Sequence, residues 1–268
     1  MNIRLSVPFR LTLLALLALT LQACATRGIE QGAPNASDAT WKAYQSYASA
    51  RGSEHDPYRL SGSLRFGTQG DTRRVTLLLW SNGYLPIRLD VMAGVGAIAA
   101  RIQETQDSFT AYSPNENKAI VHTGPQRVQL NFGKPVPFAL RDFSALMRGR
   151  FHEVFGMAEG LDPQVRPNGD IAYTLSGGLL GGTLELRPDG LPVRWTEDDA
   201  KGGWVMDIGY EDGNPPLPYK FKLAHPGGYT AILLVKDRQK PEAKFADDQL
   251  ALDIPAGTVI EPIKRGQD

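Results

Sequence analysis

The chain has 268 residues, 42% of them apolar, with 29 Lys and Arg against 29 Asp and Glu and a single cysteine. Balanced, interspersed charge leaves no basic face for nucleic acid, which excludes that class of partner. One cysteine makes no internal disulfide, so the fold rests on its core, and this length can bury one as a single large β domain or as two smaller ones.

Arg4 and Arg10 give a basic start, and residues 11–21 form an apolar run too short to span a bilayer as a stable helix. Leu21-Gln22-Ala23-Cys24 follows. This order resembles the bacterial lipobox, which implies cleavage before Cys24 and acylation of its thiol and new amino group. Residues 1–23 are then a lipoprotein signal peptide. One acyl chain holds a bilayer marginally, whereas two or three retain a protein firmly. Cleavage removes Arg4 and Arg10 and no acid, so 27 basic residues face 29 acidic ones, a formal charge of −2. Ala25, where Asp would signal otherwise, resembles outer-membrane sorting. The expected location is the outer membrane, lipid-anchored, with the domain facing the periplasm. No later apolar run reaches transmembrane length.

Residues 24–37 are polar and contain Gly and Pro, the composition of a flexible tether. The remainder, 38–268, reads as one domain. Ser37-Asp38-Ala39-Thr40-Trp41 is a plausible helix start, with Trp41, Tyr44 and Ala48 on one face until Gly52. From Tyr58 the period changes to two: Tyr58, Leu60, Leu64 and Phe66 alternate with polar residues, around Gly62. Further strands are predicted at 74–81, 86–92, 99–104, 108–112 and 118–122, separated by turns such as Asn82-Gly83 and Gly94-Val95-Gly96. Leu140, Phe143 and Met147 predict a helix over 139–147. Strands resume at 171–176, 183–187, 192–196, 204–210, 219–224 and 229–236, punctuated by Asn168-Gly169, Asp189-Gly190 and Gly227-Gly228. Such spacing with two helices predicts a mainly β domain, an antiparallel sheet or barrel.

The order of these elements, with Gly133-Lys134-Pro135-Val136-Pro137-Phe138 feeding the helix that opens Leu140-Arg141-Asp142-Phe143, resembles the LolA/LolB-like superfamily of periplasmic lipid and lipoprotein carriers. Arg59 to Phe66 is similar to that family's first strand and Arg73 to Trp80 to its second. The resemblance covers most of 40–236. It implies an incomplete antiparallel β-barrel of about eleven strands, with the N-terminal and mid-chain helices plugging the open side over an apolar cavity for acyl chains. The family's protruding apolar loop falls at Gly94-Val95-Gly96, which makes Val95 the candidate membrane or partner contact, and this loop and the segment Pro135–Met147 are expected to border the mouth of the cavity. The C-terminal end, Leu250 to Gly257, is similar to the wider superfamily, so a LolB-like lipoprotein is the expected type.

Gly94-Val95-Gly96-Ala97-Ile98-Ala99 matches a dinucleotide-binding turn, but no helix follows to complete a βαβ unit, and a glycine-flexed hairpin is expected. His55, His122, His152 and His225 lack metal-ligand spacing. Glu197, Asp198 and Asp199 suit a polar hairpin tip. Arg141, Arg148 and Arg150 flank the helix; Arg148 and Arg150 suit a solvated C-terminal end, while a lipid phosphate or a partner's carboxylate is the other reading. No nucleophile elbow is present, and neither a catalytic residue nor a cofactor is expected.

The apolar period-two positions therefore carry the functional expectation. Leu60, Leu64, Phe66, Leu77, Leu79, Leu89, Phe143, Met147, Trp204, Met206 and Phe221 are the candidate cavity lining. A packed core is the other reading of the same residues. The expected function is a non-enzymatic envelope lipoprotein that binds acyl chains of lipids or lipoproteins, possible partners being the bilayer and a soluble periplasmic carrier. The alternative is a structural or assembly lipoprotein with a filled barrel; a cavity of several hundred Å3 distinguishes the two. Cys24→Ser is expected to leave the domain folded and to release it from membranes; a variant still sedimenting with the outer membrane contradicts the lipobox reading.

Overall fold

A computed structural model describes residues 34–50, 55–157, 161–198 and 202–263. Cys24, the signal peptide and most of the tether lie outside them. The first described element is helix α1 (Pro34–Ser49). A meander follows: β1 (Tyr58–Thr68), β2 (Asp71–Ser81), β3 (Ile87–Ala93), β4 (Ala97–Glu104), β5 (Ser108–Ser113) and β6 (Lys118–Thr123). Next come the hairpin β7 (Gln129–Asn131) and β8 (Pro135–Ala139), then α2 (Leu140–Arg148) and α3 (His152–Phe155). The second meander is β9 (Leu161–Val165), β10 (Ile171–Thr174), β11 (Thr183–Leu186), β12 (Pro192–Thr196), β13 (Val205–Glu211), β14 (Leu217–Ala224) and β15 (Tyr229–Gln239). Helix α4 (Asp247–Leu250) and β16 (Val259–Pro262) end the order.

Both meanders fuse into one sheet because β1 pairs antiparallel with β15. Among the described residues the spatial order is β16-β6-β5-β4-β3-β2-β1-β15-β14-β13-β12-β11-β10-β9, fourteen strands, while β7 and β8 pair only with each other. The sheet is open, with β9 and β16 at its edges, and fourteen strands stand where the resemblance implied about eleven. The strands that periodicity missed explain themselves. Every residue of β9 and of β16 is exposed, so neither carries an apolar alternation.

The predicted inner face is the core: Leu60, Leu64, Leu77, Leu79 and Leu89 are all at most 2% exposed. Gly62 sits at a register shift between β1 and β15. A Cβ there would lie 3.1 Å from the Leu234 carbonyl oxygen and 3.6 Å from Met147 Cε, so the missing side chain lets α2 approach the sheet.

Helix α1 begins at Pro34, inside the stretch predicted as tether. Proline suits a first helical turn, where the N–H it lacks has no helical partner. The predicted face is buried: Trp41, Tyr44 and Ala48 pack inward. The Tyr44 hydroxyl donates to the Gly156 carbonyl at 3.0 Å and the Tyr173 hydroxyl to that of Ser37 at 2.7 Å. The turn at Gly190 receives the helix, with φ +83° and its Cα facing the α1 backbone.

Beyond β15 the chain crosses the outer face of the first meander as a strap clasped by sheet side chains. Asn82 exchanges two hydrogen bonds with the Phe245 backbone (2.8 and 2.7 Å), the Trp80 indole donates to Gln249 (2.9 Å), and the Gln103 amide donates to Leu250 (2.7 Å). The strap ends as β16, parallel to β6, and covers an edge that would otherwise offer unpaired backbone groups.

A Cβ at Gly190 would fall 2.3 Å from Tyr44 N and 2.4 Å from Ala43 C, both backbone atoms. Gly190→Ala is therefore expected to destabilise by about 2 kcal/mol or more through displacement of α1, measured by denaturant unfolding. A loss below about 0.5 kcal/mol would show that α1 does not dock there.

Candidate functional site

The site is built around α2. Its N-terminus is held by Asp142, whose Oδ2 accepts the Ala139 N–H at 2.8 Å. Gly149, at φ 74°, ends it, with the N–H groups of Gly149 and Arg150 bonding back to Leu146 and Ala145 (3.0 and 2.9 Å). Seven of its nine residues, Asp142 and Ser144 among them, are buried. A helix so deeply sunk needs partners for its polar groups.

It has them. Glu104, 2% exposed at the end of β4, accepts from the Arg141 backbone N–H at 2.8 Å and from Arg141 Nε at 2.5 Å. Asp142, also 2% exposed, pairs with Arg127. The Tyr58 hydroxyl meets Ser144 Oγ at 2.6 Å, and the Arg148 guanidinium lies 4.0 Å above the Tyr58 ring. Burial raises the Tyr58 phenol above its ordinary range, against the opposing charge of Arg148. Burial likewise lowers Arg148, with the like charge of Arg150 adding to it. At Arg141 burial works downward, yet the Glu104 charge and hydrogen bond raise the guanidinium overall.

These contacts correct the expectation of solvated arginines. Arg150 is 3% exposed and paired with Glu153. Arg148 covers an aromatic face, and Arg141 is engaged inside the molecule. The polar residues read as a helix end are fastenings of α2: Glu153 lies three residues beyond Arg150, whereas Arg148 and Arg141 find Tyr58 and Glu104 on distant strands.

Between α2, the β7–β8 hairpin and the sheet lies an apolar cavity. The sheet contributes Leu64 from β1, Met206 from β13, Phe221 and Leu223 from β14, and Ala231 and Leu233 from β15. The hairpin contributes Phe132, Val136 and Phe138, and α2 contributes Phe143 and Leu146. Its free volume is about 20 Å3, little more than a water molecule needs. Small-molecule pockets run to roughly 300–1,000 Å3. The hollow is filled mainly by aromatic rings, with Phe132 between Phe66 (5.8 Å) and Phe143 (6.3 Å).

Of the predicted lining, Leu64, Phe143, Met206 and Phe221 come together at this cavity. Phe66 is half-buried at its Phe132 end. Leu60, Leu77, Leu79 and Leu89 are core residues outside its lining, and Met147 packs between α2 and β1 near Gly62. Trp204 is buried near Tyr229 and His225, with ring centroids 6.0 and 5.1 Å away. Periodicity did not single out Phe132, Val136 and Phe138, although Val136 and Phe138 alternate with Pro135 and Pro137. That alternation was the available signal. The proline segment is no central strand, as its missing donors require; it pairs only with β7.

At the same end of the sheet as Phe66 and the β1–β2 turn, Gly94-Val95-Gly96 is the hairpin turn between β3 and β4, and Val95 is fully exposed. Gly94 (φ 55°) and Gly96 (φ 92°) are both left-handed. From Met92 to Ala100 no side chain is polar, so an apolar finger projects from the sheet. The predicted hairpin replaces any dinucleotide turn.

No family model and no curated protein matches the chain. Solved structures do share its fold. A domain named for outer-membrane lipoprotein sorting, from Vibrio parahaemolyticus, aligns with TM-score 0.53 at 9% identity over 80% of this chain and 97% of its own. A LolA superfamily protein from Nitrosomonas europaea gives 0.53 at 10% identity, with the same coverages. A DUF1329 family protein from Desulfovibrio piger gives 0.54 at 8%, over 80% and 96%. The chain thus has a LolA-like fold.

Glu104 and Arg141 are 2% and 12% exposed as side chains. Glu104→Gln leaves the guanidinium facing a neutral amide and is expected to cost about 3 kcal/mol, read by denaturant unfolding. Arg141→Met in that background should recover part of the loss. If the double variant is no more stable than Glu104→Gln, the pair does not fasten α2.

Proposed function

We propose that this protein is a lipid-anchored envelope lipoprotein that takes acyl chains of lipids or lipoproteins into the hollow beneath α2, for lipid transfer or lipoprotein localisation at the outer membrane. The observation that carries this reading is the wall of the hollow: every residue lining it is apolar, and the elements covering it are separate from the main sheet. The β7–β8 hairpin can swing without breaking a rung of the fourteen-stranded ladder. An entering chain then takes the place of the Phe132 and Phe143 rings, so binding and opening are one event. The LolA-like fold supports the reading, and the name carried by the Vibrio domain agrees with it. The exposed Val95 finger is suited to touch a bilayer or a delivering protein while the chain is transferred.

A second reading is favoured by one specific observation. A free volume of about 20 Å3 also describes a finished core, as in a structural lipoprotein that carries nothing. Native mass spectrometry of the tag-free mature protein separates the two. Carriage predicts co-purified acyl lipid that delipidation removes and oleate restores. An empty protein that also refuses oleate leaves the structural role.

The finger gives an independent test. Val95→Asp is expected to change stability by no more than about 0.5 kcal/mol while weakening association of the Cys24→Ser protein with vesicles or slowing transfer to them. If Val95→Asp instead unfolds the domain, the finger is a packing element.

A further inference from the structure

The hollow has a mouth, and its rim is cationic. The opening lies where Phe132 is half-buried against Phe66. Phe66 pairs directly with Arg73 across β1 and β2, and directly opposed residues share a face. Arg73 therefore continues the inner row of Val75, Leu77 and Leu79 toward the end of β2 that reaches solvent. Lys134 arrives from the other side, on the turn that follows Phe132. A Cβ at Gly227 would sit 3.9 Å from Lys134 Nζ, and one at Gly133 would sit 3.3 Å from the Tyr229 hydroxyl. Tyr229 ties the two sides together: its hydroxyl donates to the Phe132 carbonyl, and the nearby Arg73 charge lowers its phenol against the larger, upward effect of burial.

Among the described residues neither Arg73 nor Lys134 is in an ion pair, whereas Arg127, Arg141 and Arg150 around α2 all are. The carboxylates close by do not neutralise them. Asp71 shares the face of Arg73 at the β1–β2 turn without pairing to it, and Glu197 accepts the Trp204 N–H at 2.9 Å. Two free cations at the mouth of an apolar hollow match one kind of ligand, with a tail for the interior and an anion for the rim.

Resting on the acyl-chain reading above, we infer that the ligand is an anionic amphiphile whose carboxylate or phosphate head is held at the mouth by Arg73 and Lys134 while its chain replaces Phe132. A guanidinium matches either head by paired N–H donors, and a lysine adds a compact charge. A neutral diacyl lipid would fill the hollow equally well and leave the rim unused.

Brominated acyl chains quench tryptophan on contact, and Trp204 lies at this rim, so they make suitable probes. The Cys24→Ser mature protein is titrated with 9,10-dibromostearate and with its methyl ester, and in parallel with a dibrominated phosphatidylglycerol and the matching diacylglycerol. In at least one pair the anionic member is expected to bind tenfold or more tightly; the pair that shows it identifies a carboxylate or a phosphate head. Arg73→Gln with Lys134→Gln should abolish that preference and leave the affinity for the uncharged member unchanged. Equal binding of charged and uncharged probes overturns this inference and leaves carriage standing. A preference that survives the double substitution overturns it too, because the anion then sits elsewhere. If none of the four probes binds, carriage itself fails.

Discussion

The inner face of a fourteen-stranded open sheet can be kept from water only by elements that the sheet does not supply. Helix α2 and the β7–β8 hairpin do this over the hollow, and α1 does it over the second meander. Gly62 lets Met147 come close, Gly149 turns the chain out of the helix, Glu104 neutralises Arg141 of the helix, and the helix's own Asp142 is neutralised by Arg127. A buried carboxylate is costly without a partner and tolerable with one, so these pairs fix where the helix sits more than how strongly it is held.

That seating has a consequence for function. The fastenings lie along α2 and at the end of β4, whereas the tip of the β7–β8 hairpin is held at the mouth by Tyr229 and ring contacts of Phe132. The filling is thus firm at the helix and lighter at the hairpin tip. Burying an acyl chain returns roughly 0.8 kcal/mol per methylene, so a sixteen-carbon chain supplies on the order of 12 kcal/mol before ordering costs. That is enough to offset the displacement of one or two aromatic rings, each worth about 3–5 kcal/mol in a packed core. A nearly solid interior and a carrier are therefore compatible when the ligand replaces part of the protein's own packing.

Much of the fold was legible because one face of each strand is buried. Leu60, Leu64, Leu77, Leu79 and Leu89 follow the period of two, and Trp41, Tyr44 and Ala48 follow the helical period. Strands β9 and β16 were not legible, since exposed edge strands have no reason to alternate. The site was legible in part. Leu64, Phe143, Met206 and Phe221 were expected at the cavity and reach it, while Phe132 and Phe138 depend on a hairpin that folds back over the sheet. The arginines around α2 misled for the same reason. Whether Arg148 at the helix end meets water or the Tyr58 ring is decided by β1, far away in the chain.

The central claim, that the filled hollow opens to an acyl chain, is tested most directly at the methionines. Met206 lines the cavity, whereas Met157 is exposed. With methyl-13C methionine in the Cys24→Ser mature protein, oleate is expected to shift the Met206 methyl resonance strongly while that of Met157 stays in place. A Met206 resonance unmoved at saturating oleate would contradict the account and leave the interior a closed core.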